Sequence, residues 1–154
     1  MIEPTPFNRG VGFFLLWKTM HKFYVCEFTN IKYPMPDPDK VFVKFGITHH
    51  WDVMDRFNPA VNDGYTKNYS DWKIVCKFSK PCSTKEQAEA FEKKWLTEVF
   101  PNPGPTKVWV ENYFKISNNN LYYDNTGITE LRLLTVKQAK WVYYTLHNTK
   151  KETI

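Results

Sequence analysis

Two apolar segments decide the fold: KFYVCEFT at residues 22–29 and VFVKFGIT at residues 41–48. Both are rich in β-branched and aromatic side chains, which favour extended strands. The connector YPMPDPD at residues 33–39 contains three prolines, which lack the backbone donor that a central strand needs. The pattern therefore predicts an antiparallel hairpin with a long loop, whose strands span residues 23–28 and 41–47.

The segment that follows the hairpin, THHWDVMDRFNPA, carries the pattern of a short helix. Thr48 is a suitable N-cap, and Trp51, Met54 and Phe57 recur at a spacing of three residues. The proline after Asn58 predicts the end of this helix.

A third strand is predicted over residues 72–78, because apolar and polar side chains alternate there. That alternation places four side chains on one face of the strand: Trp72, Ile74, Cys76 and Phe78. Residues 108–116 also have the composition of an extended segment, whereas residues 135–147 have the period of an amphipathic helix.

The clearest helix begins with Ser83 and Glu86, which have the spacing of a capping box, and runs to about Phe100, before Pro101. At about 100° per residue, Glu92 falls in the middle of the apolar face of this helix. An ionised carboxylate buried without a partner costs several kcal/mol, so Glu92 needs a cation, a metal or a hydrogen-bonding cluster, unless it reaches solvent at the edge of the apolar face.

The chain of 154 residues has the size of one domain. We expect an α+β fold with a small central antiparallel sheet flanked by helices. Residues 1–21 are expected to form an N-terminal extension, residues 22–117 the main domain, and residues 118–154 a hairpin or helix packed on the same core.

The longest apolar run, residues 11–17, is far shorter than the roughly 20 residues that span a bilayer, so we expect no transmembrane helix and no membrane partner. No signal-peptide pattern is found at the N-terminus, which favours an intracellular, cytoplasmic protein. The irregular spacing of Cys26, Cys76 and Cys82 fits a reducing compartment and small buried thiols. The net charge of +5 permits binding to a polyanion.

Lys44 interrupts the apolar pattern of the second predicted strand, where it either lies on a partly solvated face or serves a site. Gly46, two residues later, allows another backbone or a ligand to approach closely. Arg56, on the short helix, could reach the same area or lie at the surface. Three of the 21 basic residues are arginines, so few side chains can offer a planar, permanently charged fork.

The order of these elements resembles that of the GIY-YIG nuclease superfamily. It consists of a strand with F-Y-V, a strand with K-F-G-I-T, a short helix with an arginine, a further strand, and a helix with an inward glutamate. The likeness is strongest to its phage-associated branch, in which the second motif reads K-I-G-x-T. The resemblance covers residues 22–117 and includes the segment ENYF at residues 111–114, similar to the acidic-aromatic element of that branch.

The resemblance implies hydrolysis of phosphodiester bonds in DNA with one Mg²⁺ or Mn²⁺, by a protein encoded by a phage or a mobile element. Glu92 would bind the metal, and Arg56 would hold the scissile phosphate. Tyr24 would activate water directly or through a relay, and Lys44, which replaces the first tyrosine of the second motif, would assist Tyr24 or contact the phosphate.

Four further residues are candidate nucleic-acid contacts: His49, His50, Lys107 and Lys115. DNA is the expected substrate, with RNA as the alternative, and the sequence does not indicate an oligomeric state. The alternative function is a catalytically weak or inactive factor on the same scaffold that binds nucleic acid or protein, such as a phage protein acting against host defence.

Overall fold

The computed structural model of the chain describes residues 20–58, 72–101, 107–115 and 130–149. The N-terminal extension up to residue 19, the predicted loop at residues 60–71 and the predicted turn at residues 118–120 lie outside these ranges.

The described strands form a four-stranded antiparallel sheet in the order β3-β1-β2-β4. Strands β1 (His21–Asn30) and β2 (Lys40–Thr48) form the predicted hairpin at its centre. β3 (Trp72–Cys82) flanks β1, and β4 (Leu131–Thr135), a strand that the sequence patterns do not predict, flanks β2. The α+β class and the antiparallel sheet are confirmed.

The sheet separates two apolar layers. Its first face carries Tyr24, Cys26 and Phe28 from β1 and is covered by a 3₁₀ helix, Val53–Phe57, and by helix α2, Lys107–Phe114. Its second face carries Phe23, Val25, Val43 and Phe45 and is covered by α1 (Lys85–Lys93) and α3 (Val136–Thr149). Of the described helices, none has the length and apolarity that crossing a membrane requires.

A β-bulge between Val25 and Cys26 of β1 changes which side chains of β3 share a face. Val25 pairs with Phe78 and Cys26 pairs with Cys76, so Lys77 is the extra residue. Cys76 packs against the first apolar layer, whereas Phe78 lies in the second. The predicted single face is therefore wrong for Phe78, because the inserted residue reverses the alternation.

The helix after residue 83 is confirmed, with its start shifted by one residue. Thr84, rather than Ser83, is the N-cap of α1, and its hydroxyl accepts from the backbone N–H of Gln87 at 3.1 Å. The Gln87 side chain in turn accepts from the N–H of Ser83, the residue before the N-cap, in a variant of the capping box. α1 continues into a π-helical turn, Lys94–Val99.

Residues 107–114 are helical, so the predicted extended segment is wrong. The helix places Trp109 and Tyr113 one turn apart with their rings stacked, centroids 4.7 Å apart, and both rings lie over Phe42. Packing of aromatic rings across one helical turn overrides the strand preference of the individual residues.

The helix predicted after the central hairpin spans only residues 53–57. Thr48 ends β2 instead of capping a helix, and the 3₁₀ helix begins at Val53 with Asp52 as its N-cap. The carboxylate of Asp52 accepts from the N–H of Met54 at 2.9 Å. The final helix is confirmed as α3, with Thr135 and Gln138 forming its reciprocal cap.

Candidate active site

Lys44 is fully buried in the middle of β2. Its ammonium group lies 2.5 Å from Oε1 of Glu130, the residue immediately before β4. Because β4 pairs with β2 and Leu131 lies opposite Lys44, the sheet itself brings the two charges together. A solvated position for Lys44 is therefore wrong, and the ion pair is the reason that its charge is tolerated in the interior.

Glu92 of α1 reaches the same place, where its carboxyl group is close enough to that of Glu130 for each to shift the pKa of the other. Burial and the neighbouring charge of Glu130 raise the pKa of Glu92 to about 8. Burial acts in the same direction on Glu130, but its contacts with Lys44, Glu92 and Arg56 outweigh it and hold the pKa below the ordinary range. Near neutral pH, Glu92 thus carries the proton, and Glu130 is ionised and accepts from Lys44.

Arg132 fixes the position of Glu130 relative to the helix of Glu92. Its buried guanidinium group donates to the carbonyls of Leu96 and Phe100, at 3.2 and 2.8 Å, and to that of Leu131. The carbonyls of Leu96 and Phe100 lie at the end of the π-helical turn, where a helix leaves its last carbonyls without a partner of its own. Arg132 therefore ties the start of β4 to the end of the helix that carries Glu92.

Tyr24 and Gly46 face each other across β1 and β2 on the first face of the sheet. A Cβ atom added at Gly46 would lie 2.5 Å from the Tyr24 hydroxyl and 2.6 Å from the adjacent ring carbon. Glycine is therefore required for the ring to lie flat against β2. The Lys44 ammonium lies 5.9 Å from the centroid of the same ring, so Tyr24, Lys44 and Glu130 are neighbours.

Arg56, half-buried on the 3₁₀ helix, is close enough to Glu130 to lower its pKa. It also lines a pocket together with His49 and His50. The structure thus places Lys44 and Glu92 beside Glu130, Tyr24 beside Lys44, and Arg56 within electrostatic range of Glu130. Lys115 is exposed at the end of α2, outside this group, and the side chain of Lys107 is outside the described part of the chain.

The sequence patterns did not identify Glu130 as a site residue, because residues 118–134 carry no recognisable motif. The available signal was the short apolar run LRLLT after an acidic residue, which is the pattern of a buried strand with a polar residue at its start. Paired carboxylates suit a hard divalent cation such as Mg²⁺ or Mn²⁺, which would have to displace the proton held by Glu92. Among the described residues, no group of three histidine, cysteine or acidic side chains is placed to hold a metal. A cation here would need water or phosphate oxygens to complete its coordination.

No family model, curated protein or solved structure matches the chain. The proximity of Glu92, Glu130, Lys44 and Arg56 is therefore the basis for assigning a function.

Proposed function

We propose that the chain is a divalent-metal-dependent endonuclease of GIY-YIG type that hydrolyses phosphodiester bonds in DNA. The observation that carries the proposal is the contact between the Glu92 and Glu130 carboxyl groups beside the cations of Lys44 and Arg56. Paired carboxylates and a guanidinium group are the side chains that binding a metal and a phosphate together requires.

Glu92 and Glu130 are the proposed metal ligands. When bound, Mg²⁺ or Mn²⁺ would withdraw electron density from a phosphate oxygen and offset its developing charge. Glu92 must lose its proton to serve as a ligand, whereas Lys44 and Arg56 keep Glu130 ionised. Glu92 therefore makes cation binding dependent on pH, whereas Glu130 contributes much less to this dependence.

The remaining residues act on the phosphate and on water. Arg56 would hold the scissile phosphate through paired hydrogen bonds and stabilise the charge of its transition state. Tyr24 would first release its phenolic proton to solvent, and the resulting phenolate would accept a proton from the attacking water. Tyr24 has no exposed surface, so this transfer favours a relay through an intervening water over direct contact.

The test is nicking of supercoiled plasmid with Mg²⁺, Mn²⁺ or EDTA by the wild type and by Glu92→Gln. Glutamine has the shape of the protonated glutamic acid, so the resting fold is preserved while ionisation becomes impossible. We expect metal-dependent nicking that falls at least about 100-fold in Glu92→Gln and rises with pH toward about 8 in the wild type.

Glu86→Gln is the matched control, because Glu86 is exposed in the first turn of the same helix. It should nick at the wild-type rate. Equal nicking by Glu92→Gln and the wild type would contradict the proposed role of the carboxyl pair, and absence of wild-type nicking on both DNA and RNA would contradict the enzyme.

One observation favours the alternative, a factor that binds nucleic acid or protein without cutting. Lys44, Glu130 and protonated Glu92 already satisfy one another, so their burial is explained without a metal. Under this alternative, Glu92→Gln would retain DNA or partner binding, and millimolar Mg²⁺ would not change the melting temperature of the wild type.

A further inference from the structure

A pocket of about 250 Å³ lies beside the candidate active site, where β1 begins and β2 ends. Five nitrogen-bearing side chains line it: His21, His49, His50, Arg56 and Lys85. The other lining residues are Ile47 and Thr48, so no carboxylate lines this pocket among the described residues. The pocket is lined by four separate elements, because His21 begins β1, Thr48 ends β2, Arg56 lies on the 3₁₀ helix and Lys85 is the first residue of α1.

Local hydrogen bonds hold the histidine segment in place. The Thr48 hydroxyl accepts from the N–H of His50 at 3.2 Å, and the ammonium of Lys22 donates to the His50 carbonyl at 2.7 Å. The rings of His49 and His50 stack with centroids 4.8 Å apart, and His21 lies 6.2 Å from His49. The imidazole groups are therefore positioned before any ligand arrives.

This pocket suits an anion better than a metal. Stacked imidazole rings direct their nitrogens alongside one another rather than toward one point, and no metal-binding group of three is found within the described residues. No carboxylate lines the pocket to offset the charges of Arg56 and Lys85, so a cation is disfavoured there, whereas these side chains and the imidazole N–H groups would donate to phosphate oxygens.

We propose that this pocket binds a second phosphate of the nucleic-acid strand, adjacent to the phosphate that is cut. This inference rests on the proposed function, because Arg56 lines the pocket and is also close enough to Glu130 of the carboxyl pair to lower its pKa. One guanidinium group would thus lie between two consecutive phosphates. The pocket would fix the register of the strand without reading its bases.

The test is the salt dependence of DNA binding in EDTA, measured by fluorescence anisotropy with a labelled 20-base-pair duplex. Lys85→Ala should weaken binding and reduce the slope of log affinity against log salt by roughly 0.9, the value for one lost phosphate contact. His49→Ala should weaken binding about 3- to 10-fold, because it removes a donor to the same phosphate. Lys73→Ala is the charge-matched control, since Lys73 is exposed at the opposite end of the sheet, and it should leave the slope unchanged.

Lys85 and His49 are both exposed, so these variants should fold as the wild type does, which thermal melting checks. Equal slopes for Lys85→Ala and wild type, with His49→Ala also unchanged, would overturn the phosphate subsite. Plasmid nicking that persists in those variants would then leave the proposed nuclease intact, so the two failures are distinguishable. A third outcome is that millimolar inorganic phosphate binds the wild-type protein while the duplex slope is the same for Lys85→Ala and the wild type. The pocket would then be a site for free phosphate, and the strand contact would be overturned.

Discussion

Lys44 and Glu130 join the middle of β2 to the residue before β4, 86 positions later in the sequence. Lys44 has no exposed side-chain surface and Glu130 keeps 31% of its own. The pair therefore lies at the boundary between the sheet interior and the candidate site, where each charge depends on the other.

Replacing Lys44 with methionine should destabilise the fold by about 2–4 kcal/mol, because Glu130 would lose its cation while remaining largely enclosed. Urea unfolding at pH 7 measures the loss. The double variant Lys44→Met, Glu130→Gln should recover more than half of it, since no uncompensated charge remains. A double variant no more stable than Lys44→Met would show that the ion pair is not the cause.

Glu92 should make stability fall as pH rises. Its pKa is about 8 in the folded chain and about 4.5 when unperturbed, so between these values the folded state retains a proton that the unfolded state has lost. Between about pH 6 and 9 the wild type should lose roughly 1–2 kcal/mol relative to Glu92→Gln, with solvent screening taken into account. The measurement is urea unfolding across this range, and parallel pH profiles would contradict it.

Arg132→Lys should cost about 2–3 kcal/mol, because a lysine cannot reach the carbonyls of Leu96 and Phe100 together. Thermal unfolding measures the effect, with Lys137→Ala on the exposed side of α3 as the control. The same substitution should slow nicking, since the start of β4 is no longer tied to the helix of Glu92. Unchanged stability would show that other contacts hold β4.

Gly46→Ala should destabilise the chain by about 1–3 kcal/mol, because the new methyl group would overlap the hydroxyl and ring of Tyr24. The effect should appear in chemical unfolding and as a change in tyrosine near-ultraviolet circular dichroism. If stability is unchanged, the ring of Tyr24 can leave its position at no cost.

Cys76 should react faster than Cys26 with iodoacetamide. A hydrogen bond from Cys26 lowers the pKa of Cys76, whereas burial raises the pKa of Cys26 well above the usual range. Because the thiolate is the reactive form, we expect about a tenfold difference in labelling rate, read by peptide mass spectrometry. Equal labelling rates would indicate that the two thiols alternate as hydrogen-bond donor and acceptor, or that both become exposed in the same local opening.

The central hairpin was predictable because its segments are apolar, β-branched and separated by prolines, so local composition and tertiary position agree. The final helix was predictable from its amphipathic period, because the apolar face that the period defines is the face that packs on the sheet. The helical state of residues 107–114 was not, because stacking of Trp109 on Tyr113 depends on Phe42, a residue far away in the sequence. The face of Phe78 depends on a bulge that a two-residue period cannot reveal.

The candidate site was predictable where one residue broke a periodic pattern. Glu92 in an apolar helical face indicated a partner unless it reached solvent, and Lys44 in an apolar strand indicated either a site or a partly solvated face, but neither pattern identified a partner. Glu130 is that partner for both, and it precedes a strand that is paired through long-range contacts. Residues joined by sheet pairing over such separations leave no local signal in a single sequence.

The proton held by Glu92 also means that the site exchanges one positive charge for another. Any cation that requires an ionised Glu92 must release that proton to the buffer, so the measured heat of binding should depend on the ionisation enthalpy of the buffer chosen. Acidification would then inactivate the site reversibly while the rest of the chain remains folded. The carboxyl pair would thus couple cation occupancy to the acidity of its surroundings.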